Sequence, residues 1–253
     1  MAISRFEPAE RGSEWFVNGS LDFRGQHRPA LGVVYDWGYK SFVLHDVPGG
    51  GDVNVLTDQM FVHIGGAIVL LDNMRVAFDL PVTAYENGDN LERVERPGRP
   101  NPQTSYPGAG DLRLAFDARA FGEYGDVITG ALGAQVFLPT GSRDALTSDG
   151  TVRVIPHFMV AGEGEGFVYA ASIGFHYRPQ SDLLLGRYLG SEVIASVAAG
   201  VKVNDVFVFG PELWASTVVT GRDAGFHQRT TPLEGLVGFH VTLGDDFRVG
   251  SGI

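Results

Sequence analysis

Cysteine is absent from the 253 residues, so disulfides, thiolate metal sites and cysteine nucleophiles are excluded at the outset. Lysine is nearly absent. Lys40 and Lys202 are the only two, the rest of the 19 basic residues are arginine, and 30 acidic residues leave a formal charge of −11. A chain this acidic lacks the basic face that neutralises phosphates, which argues against a nucleic-acid partner. Long apolar runs are missing too: the longest, Ala67 to Leu71 and Phe167 to Ala171, fall far short of the ~20 residues a membrane helix needs. The opening, Met1 to Pro8, has no apolar leader core, so an exported protein would already have shed its leader. What the chain has in quantity is apolar residues, at 44%, and glycine, at 35 residues without any Gly-X-Y period.

Helical spacing of the apolar residues is almost nowhere to be found, and strict alternation replaces it. Met74, Val76, Phe78, Leu80 and Val82 form one face of a segment whose other face is Arg75, Ala77, Asp79 and Pro81. Leu112, Leu114, Phe116 and Ala118 likewise oppose Arg113, Ala115, Asp117 and Arg119. The same pattern recurs around Arg153 and His157, around His176, along Glu192 to Lys202, and beside Glu212. Strands are expected at 28–45, 55–70, 74–85, 110–121, 126–138, 151–161, 166–178, 191–202, 206–219 and 231–243, with a stub at 247–253. Many exceed the usual 5 or 6 residues of soluble strands and match the ~9 to 11 residues, plus flanks, of a tilted membrane strand. Tight turns at 71–73, 123–126, 162–166, 203–205 and 244–246 interleave with longer polar loops at 46–54, 86–110, 140–151, 179–191 and 221–230. One short rim and one long rim is the pattern of outer-membrane barrels, whose short turns are periplasmic.

The expected fold is therefore all-β: an antiparallel up-and-down transmembrane β-barrel of ten complete strands and a partial eleventh, preceded by a periplasmic-side segment at 1–27. A soluble barrel or sandwich that encloses a hydrophobic ligand would alternate in the same way, with Phe78, Leu114, Phe116, Phe158 and Ile173 turned inward. The composition of the polar face favours the membrane form. It is rich in glycine, alanine and serine with about one charge per strand, and poor in the lysine and glutamate of a solvated surface. Aromatic residues near strand ends, among them Tyr35, Trp37, Tyr39, Tyr85, Phe121 and Trp214, suit interfacial girdles.

Several stretches resemble a known family in their order and spacing. They are Arg5 to Phe16 (RFEPAERGSEWF), Val33 to Lys40 (VVYDWGYK), Gly110 to Leu114 (GDLRL), Phe137 to Gly141 (FLPTG) and Gly210 to Leu213 (GPEL). Together they resemble the N-terminal barrel region of OmpA-type outer-membrane proteins of myxobacterial kind. The resemblance implies residence in the outer membrane of a Gram-negative cell and a barrel of twelve strands in a full-length relative, so a C-terminal truncation within the 28–253 domain is expected. It also implies contact with peptidoglycan only through a C-terminal domain that is absent here.

The functional candidates are the inward charges: Asp36, Arg75, Asp79, Arg113, Asp117, Arg119, Arg153, Glu192, Lys202, Glu212 and Glu234, joined by His63, His157 and His240. In a barrel of this size they would form either a solute-selecting channel or a plug of arginine–carboxylate pairs, and near balance of sign favours the plug. Acidic loop residues, Asp46, Asp52, Glu86, Asp89, Glu92, Asp144 and Asp149, would tint the entrance negative. Asp111 and Asp126 at strand ends and Glu123 in a turn are expected to be solvated, and 142–150 to be a polar surface loop. The seven histidines are scattered singly without zinc spacing, so no metal, cofactor or enzymatic activity is expected. The expected partners are outer-membrane lipid and small ions or solutes.

Overall fold

The computed structural model describes residues 5–44, 53–87, 108–142, 147–179, 182–184, 187–220, 231–244 and 247–253, and these contain no helix. Eleven strands form one antiparallel sheet in which each pairs with its neighbours along the chain. They are β1 (Arg28–Leu44), β2 (Val53–Leu70), β3 (Met74–Asn87), β4 (Leu112–Phe121), β5 (Thr129–Leu138), β6 (Arg153–Gly164), β7 (Phe167–His176), β10 (Glu192–Val203), β11 (Phe207–Val218), β12 (Leu233–Leu243) and β13 (Phe247–Gly252). The sheet curls into a half-barrel with β1 and β13 as its edges. Between β7 and β10, where a plain loop was expected, β8 (Asp182–Leu184) and β9 (Arg187–Leu189) pair as a separate hairpin. A connection of this length meets part of its backbone hydrogen-bonding requirement internally.

Turn chemistry sets the short rim. Leu71 and Asp72, Glu165 and Gly166, and Asn204 and Asp205 all have positive φ at successive positions, as the tight I′ hairpin demands. The amides of Asn73 and Val206 close two of these turns onto Leu70 and Val203. In β1 a register break between Tyr39 and Phe42, with Lys40 at φ 52°, marks a bulge.

The alternation resolves into two chemically opposite faces. Phe78, Leu114, Phe116, Phe158 and Ile173 are 37 to 54% exposed on the convex side, while Arg75, Asp79, Arg113, Asp117 and Arg153 are buried on the concave side. This overturns the enclosed-ligand alternative, which required those five apolar residues inside. Residues 5–27 carry no strand and run along the concave face. There Trp15, Leu21 and Phe23 pack with Val69, Ala131, Met159, Ala161, Val168, Ala170, Ala198 and Val208. Four alanines at inward positions leave the volume that three large side chains of the N-terminal segment occupy, so the core is built from small residues on the wall and large ones on the filler.

Because the chain has no native cysteine, Leu114→Cys offers a unique labelling site. A nitroxide there should show high accessibility to oxygen and low accessibility to a polar relaxation agent in detergent, and the reverse pattern would place the convex face in water.

Candidate functional site

Strand register aligns the inward charges into rows. One row runs Gly32, Gly65, Asp79, Arg113, Phe137, Arg153 across β1 to β6. The two glycines make a groove for Arg11 of the N-terminal segment, since a Cβ at Gly65 would meet its guanidinium at 2.8 Å. Arg11 donates to Asp79 at 2.6 Å and to the carbonyls of Gly32 and His63, while His63 Nδ1 meets the second Asp79 oxygen at 2.8 Å. Arg113, next in the row, donates to the Pro8 carbonyl at 2.6 Å and stands 3.4 and 3.5 Å from Glu7 and Glu10. Arg153 lies over the Phe137 ring at 4.4 Å and binds Asp111 at 3.0 Å.

A second row runs Arg75, Asp117, Gly133, His157 across β3 to β6. Arg75 donates twice to one oxygen of Asp117, and His157 Nε2 meets the other at 2.9 Å. The aspartate reaches across β5 because position 133 is glycine: a Cβ there would lie 2.1 Å from the carboxylate and 2.5 Å from the imidazole.

Lys202 holds the segment near the short rim, and Glu212 holds it at the middle of β11. The Glu212 carboxylate accepts from the backbone amides of Phe16, Val17 and Asn18 at 2.5, 2.9 and 3.1 Å, and from the Asn18 side chain at 3.1 Å. Lys202 donates to Tyr124 and Glu163 and lies 3.4 Å from Glu14, which in turn accepts from Tyr124. Asn18 also accepts from Ser196, which is bonded to Ser172. The segment bridges the two edges of the sheet. Arg11 touches β1 at Gly32, Phe16 packs on His240 of β12 at 4.2 Å, and Arg248 of β13 donates to the Gly12 carbonyl at 2.8 Å.

Of the candidates named from the sequence, the structure brings Arg75, Asp79, Arg113, Asp117, Arg153, Lys202 and Glu212 into this network. Glu192 belongs to it loosely, 3.6 Å from His176 and 3.8 Å from Arg178. Asp36, Arg119 and Glu234 are only partly buried, and their side chains make no hydrogen bond or ion pair with another described residue. Asp111 corrects the expectation of a solvated strand end, because it is buried against Arg153. Thr147 and Ser148 are buried and Asp149 faces Arg153 and Arg178, so residues 147–149 of the 142–150 loop pack inward, while Ser142 and Gly150 are exposed. Asp46, Asp52, Asp89, Glu92 and Asp144 lie outside the described residues, and the described residues hold no cluster suited to a metal ion. Of the partners that the sequence did not point to, Glu10, Arg11, Glu14 and Asn18 belong to the N-terminal segment, and Tyr124 and Glu163 lie at the short rim. The segment's apolar residues Trp15, Phe16, Leu21 and Phe23, on a stretch without alternation, were the available signal that it needed a surface to cover.

Above the Glu212 anchor a cavity of about 180 Å³ remains between residues 5–19 and the wall of β5, β6, β7, β10, β11 and β12. Phe137, Ile155, Met159, Ile194 and Trp214 supply apolar lining, and Arg5, Arg153, His176, Arg178 and Glu192 polar lining.

Three consequences can be measured. Removing one member of a buried network strands its partners, so Glu212→Ala and Arg113→Ala should each destabilise the protein in detergent by ~3 kcal/mol or more. Arg119→Ala, which breaks no contact, should lie within ~0.5 kcal/mol of the parent in the same urea titration. At the short rim, burial pushes the Asp22 carboxyl up, but hydrogen bonds from Arg24 and Arg28 outweigh it and hold the group at about 2. The sign is that of a depressed acid: its stabilisation is complete above about pH 4 and disappears as pH falls toward 2. A carbon-13 titration of Asp22 should show that low midpoint, and Arg24→Gln should raise it.

No curated protein matches the chain. A family model matches residues 43–253, the sheet from the end of β1 onward. That family is not the OmpA-type one which the short motifs resemble. The chain belongs to the family described as "Putative MetA-pathway of phenol degradation".

Proposed function

We propose that this protein is a non-enzymatic β-barrel of the Gram-negative outer membrane whose interior is filled by its own N-terminal segment, a structural or narrowly permeable, porin-like component. One observation carries the reading: large apolar side chains cover the convex face, while the charges are buried on the concave face and paired there. Lipid outside and a polar interior is the arrangement of outer-membrane barrels and the inverse of a soluble barrel. The family match over most of the sheet supports an outer-membrane-type protein, and the likeness to OmpA-type barrels rests on the short sequence motifs alone. The family's description in terms of phenol degradation makes small ring compounds reasonable solutes to test. Lipid and small solutes are the partners this reading requires, and it requires no cofactor.

With the segment anchored by Glu212, the interior lacks a continuous wide path, so the resting protein should conduct poorly. Planar-bilayer recording of refolded protein should give small or flickering events, and Glu212→Ala, which frees the backbone of Phe16 to Asn18, should lengthen the open periods. Large, steady, weakly selective current from the unaltered chain would overturn the filled-interior reading.

A further inference from the structure

The cavity beside the N-terminal segment has a one-sided supply of hydrogen-bonding atoms. Among its lining residues, the buried donors without a hydrogen-bond partner are Nε of Arg113, Arg153 and Arg178 and Nε1 of Trp214, while Nε2 of His176, whose Nδ1 faces Glu192, is left as an acceptor. No side-chain oxygen of a lining residue is in that condition; behind the lining, the buried Asp149 Oδ2 faces the Arg153 and Arg178 Nε atoms without a full hydrogen bond to either. The nearest acceptors are set back. Asp149 stands 3.4 and 3.5 Å from the Arg153 and Arg178 Nε atoms, and Glu192 stands 3.8 Å from Arg178 and 3.6 Å from His176. Buried donors are ordinarily satisfied, and leaving them without acceptors is costly. A guest that brings acceptor oxygens therefore gains where one that brings donors does not.

The walls restrict the rest of the guest. Ile155, Ile194, Met159 and Trp214 present apolar surface next to these nitrogens. The volume of about 180 Å³ lies below the roughly 300 Å³ at which sites for drug-sized molecules begin. A single ring or a short aliphatic body fits such a space, and a guanidinium fork matches a planar carboxylate better than it matches a hydroxyl or an amine. Fixed charge does not by itself select an anion, because Glu192 and Asp149 offset Arg153 and Arg178. Selection comes from the arginine and indole N–H groups that lack a full hydrogen bond.

Resting on the barrel reading, we propose that this cavity is a binding site for a small monocyclic carboxylate, its oxygens turned to Arg153 and Arg178 and its ring against Ile155, Ile194 and Trp214. Release toward the long-loop rim would follow the same lining, since Arg178 and Arg153 lie at the strand ends on that side.

The test is isothermal titration of the full chain, folded in an uncharged maltoside detergent, with benzoate, benzyl alcohol and benzylamine. Benzoate should saturate one site, and the alcohol and the amine should bind at least about tenfold more weakly. Arg178→Gln and Arg153→Gln should each weaken benzoate by about tenfold, whereas Arg119→Gln, outside the cavity, should leave it unchanged. Equal binding of the three probes, no saturable benzoate signal, or an equal loss in Arg119→Gln would overturn the proposal. Far-UV circular dichroism of the same samples separates the two readings. A β-folded protein that ignores benzoate eliminates this site alone, and a chain that does not fold in detergent eliminates the barrel with it.

Discussion

A charge taken out of water must find its partner inside the protein, and that constraint organises this structure. The convex face is surrendered to apolar residues, so Arg75, Asp79, Arg113, Asp117, Arg153 and Glu212 are directed to one concave surface, where an isolated ion would carry a penalty of several kcal/mol. Strand-to-strand pairing meets part of the need, as in Arg75–Asp117. The rest is met by residues 5–27. Arg11 reaches Asp79, the Pro8 carbonyl takes a donor from Arg113, and three consecutive amides converge on Glu212. The segment is thus the complement of the wall in hydrogen bonding as well as in volume.

Glycine is the second half of the same design. Its abundance looks like looseness in the composition, but Gly65 and Gly133 stand where a Cβ would collide with the guanidinium of Arg11 or with the Asp117–His157 bond. Each opens a gap in a row of inward side chains so that ions on non-adjacent strands can meet. The alanines at 131, 161, 170 and 198 do the same for Trp15, Leu21 and Phe23. Small residues on the wall therefore have a reason in packing, and large residues there would expel the segment.

The N-terminal segment also touches both edges of the sheet, through Arg11 at β1 and through Phe16 and Arg248 at β12 and β13. Interior filling and the positioning of the edges are consequently one set of contacts. Above Glu212 the fit is less complete, and the Nε atoms of Arg153 and Arg178 stand back from Asp149. The same polar interior is therefore tightly bonded at one level and open to a guest at another.

Period-two alternation was enough to locate the eleven strands of the sheet within a few residues, and turn chemistry at Leu71-Asp72 and Asn204-Asp205 placed the short rim, because both are local backbone properties. Alternation also named Arg75, Asp79, Arg113, Asp117, Arg153, Lys202 and Glu212 as one face. It could not distinguish them from Asp36, Arg119 and Glu234, which share the parity but pair with no other described residue, because pairing depends on register between strands distant in sequence. Nor could it say which face is convex, since a period has no inside or outside. The hairpin of β8 and β9, the burial of Asp111 and the course of residues 5–27 along the concave face lay beyond it for the same reason. Local pattern determined the sheet, and only the curling of that sheet around its own N-terminal segment decided which charges meet.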